Sequence, residues 1–86
     1  MMRRVMWMVQ DREADEWSNG HWIAYRTQWS DLLETAFQYR LQHPATEGTV
    51  ELFDSDGYTV YEVDLVRLVQ TRVSTGAERP VRRFLW

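Results

Sequence analysis

Residues 49–65 read "TVELFDSDGYTVYEVDL", two runs of β-favouring residues on either side of Asp56-Gly57. Asp-Gly accepts the left-handed backbone of a tight hairpin turn, and runs with a two-residue period suit strands. The same texture continues downstream. "VRLVQTRV" (66–73) and "RPVRRFL" (79–85) are β-like runs flanking the turn "STGAE" (74–78). Upstream the period lengthens. In "SDLLETAFQYRLQHP" (30–44), Leu33, Ala36, Phe37 and Leu41 fall at i, i+3, i+4 and i+8. Ser30 is placed to cap this amphipathic helix of about three turns, with Asp31 and Glu34 in its first turn. His43-Pro44 ends it, because a residue before proline is pushed out of helical geometry.

Before the helix, residues 4–9 of "RRVMWMV" form a short apolar strand, and "HWIAYR" (21–26) reads as its returning partner. A long acidic connection joins them and ends in the turn signal Asn19-Gly20. The expected fold is α+β: an antiparallel sheet of five to six strands with one amphipathic helix packed on it, residues 1–86 forming a single domain.

The 86 residues contain no cysteine, which excludes disulfides and thiolate metal sites. No apolar run approaches a membrane span, and the first residues lack a signal-peptide apolar region. The expectation is an intracellular domain, nuclear or cytoplasmic, with no membrane partner. Five Trp, four Tyr and three Phe are a large aromatic share for this length, available to a core, a site or both.

Charge is unevenly distributed. The whole chain carries −3, yet residues 67–86 hold five arginines against one acid, and residues 1–66 five against twelve. Every basic residue is arginine, whose planar fork matches phosphate and carboxylate oxygens two at a time. Alternation along 66–73 sends Val69, Thr71 and Val73 toward a core and leaves Gln70 and Arg72 on the open face. The paired run 79–85 brings arginines beside them, and Tyr58 and Tyr61 add aromatic surface. Gln, several Arg and an aromatic ring suit a phosphate-bearing ligand with a stackable base. The competing reading is that the arginines guard a sheet edge and the aromatics fill the core. Trp7, Trp22, Trp29 and Phe37 read first as core.

Other chemistry has little support. "DSDG" (54–57) begins like a calcium loop, but the later ligands are missing, so it reads as a turn. His21 and His43 lie in different elements with no third ligand at metal spacing. No nucleophile elbow or phosphate-cradling glycine loop occurs. No cofactor, metal site or catalytic residue is expected. The negative total charge and the lack of a long basic stripe argue against DNA and general nucleic-acid binding.

Together "MWMV", "GHWIAY", "DLLETAF", "YEVDLVRLVQTR" and "TGAERPVRR" resemble a WWE domain over nearly the whole chain. The most specific part is Tyr61-x-x-Asp64, then Gln70, then Thr75-Gly76-x-x-Arg79-x-Val81-Arg82-Arg83. The pattern is most similar to deltex-type ubiquitin ligases and also to PARP-family domains. On this resemblance Trp7 and Trp22 are the signature tryptophans and Glu34 the signature glutamate. It implies a half-barrel of antiparallel strands with a helix on one side. It also implies recognition of ADP-ribose, either the iso-ADP-ribose of poly(ADP-ribose) or a terminal unit. Such a module recruits an attached ubiquitin-ligase or ADP-ribosyltransferase activity to modified proteins, with protein partners in ubiquitin signalling.

By position, Tyr61, Gln70 and Arg79 match the family's ligand-contacting residues. Arg72 lies beside them by alternation, and Trp22, Tyr25, Arg82 and Arg83 complete the expected ligand face. The family often has a second aromatic residue two positions after the first tryptophan. Val9 stands there, without a π-face, and forgoes stacking worth about 1–3 kcal/mol. The alternative is a protein–protein interaction module on the same scaffold without nucleotide binding.

Overall fold

The alternating runs do become strands. A computed structural model describes residues 4–11 and 21–85. They form β1 (Val5–Gln10), β2 (Trp22–Ala24), α1 (Thr27–Gln42), β3 (Thr49–Phe53), β4 (Thr59–Asp64), β5 (Val69–Arg72) and β6 (Glu78–Leu85). All paired strands are antiparallel, in one six-stranded sheet of order β2-β1-β6-β5-β4-β3. The sheet is not closed, and α1 packs on one face of it, the α+β arrangement expected. The Asn19-Gly20 turn lies outside the described residues.

The turns have clear causes. Gly57 and Gly76 take φ of 84° and 74°, left-handed values that cost other residues about 1–2 kcal/mol. Asp54 Oδ1 accepts the backbone N–H groups of Asp56 and Tyr58 at 2.9 and 3.0 Å, so "DSDG" is a hydrogen-bonded turn. Asp64 Oδ1 does the same for Val66 and Arg67, and the Arg67 N–H is the main reason its carboxyl sits below the ordinary carboxylate range.

Trp7, Leu33, Leu52 and Val63 are fully buried, with Tyr25, Leu65 and Val81 around them. Trp7 meets the Phe37 ring edge-on at 5.6 Å, joining β1 to α1. These inward residues define the side of the sheet that α1 covers, and β5 presents the opposite residues from those alternation implied. Gln70 stands opposite Val63 and Arg79 and is 4% exposed, whereas Val73, beyond the strand, is 50% exposed. The cause is the turn before β5: Leu65 drops into the core and Leu68 takes φ 56°, which fixes the register of the strand that follows. Cross-strand register overrides the apolar character of the valines.

The helix also departs from expectation. It runs for 16 residues and starts at Thr27, so Asp31 and Glu34 are not in its first turn. Ser30 is no cap. It is buried, and its Oγ accepts the Trp7 backbone N–H at 3.2 Å. β2 ends at Ala24, so this edge of β1 has no strand beside Trp7, and Ser30 supplies the acceptor a ladder would have given. Leu41 is 62% exposed, and the buried stripe runs instead through Ser30, Leu33 and Phe37.

Candidate functional site

β5 and β6 lie between the core strand β1 and the meander β3–β4, so their inward side chains meet groups from both sides. Gln70 is the pivot. Its Oε1 accepts the Tyr25 hydroxyl at 2.7 Å in a buried bond. With the oxygen committed, the amide nitrogen is the end that can donate to a ligand. Burial pushes the Tyr25 phenol far above its ordinary value, with neighbouring Tyr61 adding to the shift, so it remains a donor at any physiological pH.

Tyr61 lies edge-on to Trp29 at 5.8 Å, and Tyr25 meets Trp29 at 6.4 Å. Trp29 is tethered from its other end, where Nε1–H donates to the Phe53 carbonyl at 3.2 Å. The Arg26 guanidinium lies 4.1 Å above the Trp29 ring. From β6, Arg79 reaches across to donate to the backbone carbonyls of Gln10 and Asp11, at the end of β1. Arg72, exposed, is opposite Tyr61 in register.

These groups enclose two hollows of about 300 Å³ each that share Tyr61, Gln70 and Arg79 as a common wall. One is mixed aromatic and polar: Val9, Tyr25, Arg26 and Trp29 line it. The other is polar, with Arg72, Thr75 and Ala77 on its sides. A surface with arginines on one side, a buried amide donor in the middle and rings on the other can hold an elongated polyanion with a flat end. A wider hollow of about 680 Å³ lies by β3, but acids line it and, among the described residues, no arginine does.

Of the eight expected ligand-face residues, Tyr25, Tyr61, Gln70, Arg72 and Arg79 come together. Arg83, Arg82 and Trp22 do not. Arg83 is inward, but it forms a two-pronged ion pair with Glu34, both contacts at 2.7 Å, and lies 4.6 Å over Phe37. Glu34 also accepts Trp7 Nε1–H at 3.0 Å and the Gln38 amide at 2.9 Å. Arg83 above all holds the Glu34 carboxyl at about 2, and the same contact raises the Arg83 guanidinium further. The tryptophan and glutamate of the sequence pattern thus form a structural clasp with Arg83, away from the hollows.

Arg82 and Trp22 stand on the opposite face of the sheet, the guanidinium 4.4 Å from the Trp22 ring. Consecutive arginines in a strand must point to opposite faces, and the burial of Val81 puts Arg82 outside. Tyr58 is in the turn before β4, exposed at 73%. Among the lining residues that sequence reasoning misses are Arg26, to which it gives no role, and Trp29, which reads as core. Their i, i+3 spacing becomes informative once the helix is known to start at Thr27.

Residues 5–83, nearly the whole chain, match the family model described as WWE domain. No curated protein matches the sequence.

Proposed function

The chain belongs to the WWE domain family, non-catalytic modules of protein interaction, and on that premise we propose that it reads ADP-ribose. The single observation that carries this reading is the convergence of Tyr61, Gln70 and Arg79 on the wall between an aromatic and a polar hollow. ADP-ribose units have the matching chemistry. Diphosphate oxygens suit Arg72 and Arg79, a ribose or base edge suits the Gln70 amide, and adenine suits the rings beside Trp29. Binding would bring an attached ubiquitin-ligase or ADP-ribosyltransferase activity to modified proteins inside the cell.

The test is calorimetric titration with ADP-ribose and iso-ADP-ribose, wild type beside Arg79→Ala. Loss of a charge-assisted contact worth about 1.5–3 kcal/mol weakens binding by about 10- to 150-fold. Because Arg79 also holds the end of β1, the mutant is first shown to be folded by near-ultraviolet circular dichroism.

One observation favours a second reading, a protein-docking module without nucleotide. Val9 occupies the aromatic hollow where the family often places a ring. No heat with either nucleotide, from folded wild type, selects that reading.

A further inference from the structure

On the outward face of the sheet the charges are segregated. Across β1 and β6, Met8 stands opposite Arg82 and Met6 opposite Phe84, and the four line a hollow of about 390 Å³. The Arg82 guanidinium is held between Trp22 at 4.4 Å and Phe84 at 5.4 Å. Its Nη2 reaches the Met8 sulfur at 3.9 Å, a weak acceptor, and among the described residues its buried Nε meets no acceptor. An arginine so desolvated normally faces an anion. Glu78, the acid of β6 on that face, is already paired with Arg67 at 3.5 Å.

Across β3 and β4 on the same face, Glu51 and Glu62 stand directly opposite each other. Like charges in that relation destabilise a strand pair. Among the described residues neither forms an ion pair. With Glu47 they line the hollow of about 680 Å³, which runs from this face round the β3 edge to Val50 and to Leu32 of α1, with Phe53 and Leu32 exposed at 45% and 43%.

We propose that these two surfaces are complementary, and that the outward Arg82–methionine patch of one copy docks in the Glu51–Glu62 groove of another. Arg82 cannot reach the groove of its own copy. Glu62 is level with Thr71 and Glu78, while Arg82 lies four residues further along β6. That is about 13 Å along the strand and about 10 Å across two strand spacings. Between copies, the guanidinium meets two carboxylates, and Met6, Met8 and Phe84 cover Phe53 and Leu32. Patch and groove are different surfaces, so the contact is heterologous and builds chains rather than a closed pair. It leaves the two site hollows on the opposite face open.

Sedimentation equilibrium from about 10 µM to about 1 mM, the range of weak contacts, tests this with Arg82→Glu and Glu62→Arg. The average mass of wild type rises with concentration, and salt lowers it. Each variant, shown to be folded by circular dichroism, associates at least about tenfold more weakly, because like charges then face each other. An equimolar mixture of the two regains association, since each patch finds an opposite groove. Monomeric wild type throughout overturns the proposal, as does association of either variant at wild-type strength or a mixture no better than its parts.

Discussion

Glu34 shows how one side chain can serve a fold by satisfying several neighbours. It accepts bonds from Trp7, Gln38 and Arg83, and so ties β1, α1 and β6 together. Glu34→Gln leaves the tryptophan an acceptor but removes the charge opposite Arg83. The expected loss is about 1–3 kcal/mol, read as a lower urea midpoint at pH 7 with unchanged slope. The same carboxyl makes stability depend on pH. Its folded value, about 2, lies below the ordinary 4.5. The folded state therefore binds fewer protons in that interval. The contribution is complete above 4.5 and is lost as pH falls toward 2. In Glu34→Gln the decline of the urea midpoint through that interval is shallower, and an unchanged decline would show that the clasp contributes little.

At the scale of elements, the junction of β1, β2 and α1 carries the most information. Ser30→Ala removes the acceptor of the buried Trp7 N–H. The expected cost is about 1–3 kcal/mol. Were Ser30 the helix cap that its sequence position suggests, the variant would also lower helix content; here far-ultraviolet circular dichroism stays the same while the thermal midpoint falls. This junction also marks where sequence reading stopped. The existence of β1, β2, α1 and the strands after it was legible, because period and turn residues are local. The helix start was not, since Arg26 provides no side-chain cap and the first turn has no acid. Nor was the orientation of β5 legible, because pairing with Val63 and Arg79 decided which face Gln70 would occupy.

Across the whole molecule, the five arginines between residues 67 and 86 divide among four tasks. Arg72 and Arg79 line the site hollows, Arg83 clasps Glu34, Arg82 stands on the outward face, and Arg67 makes an exposed pair with Glu78. The division predicts opposite phenotypes. On the proposed ADP-ribose reading, Arg72→Ala weakens nucleotide binding by about tenfold or more and leaves stability within about 0.5 kcal/mol. Arg83→Ala reverses the pattern, losing about 1–3 kcal/mol of stability with near-native affinity in the molecules that remain folded. Titration calorimetry and urea melts on both variants separate the two roles, and a stability loss in Arg72→Ala would place that residue in the scaffold.

The chain by itself determined an antiparallel α+β sheet with one helix and its turns at Gly57 and Gly76. Those properties reside in local period, backbone permissiveness and residue type. The tertiary structure decided which arginines share a hollow, that Glu34 and Arg83 stabilise the fold, and that Arg82 faces outward. A strand sequence offers two faces with equal local cost. The choice falls to whichever register buries Trp7, Leu33, Leu52 and Val63 together.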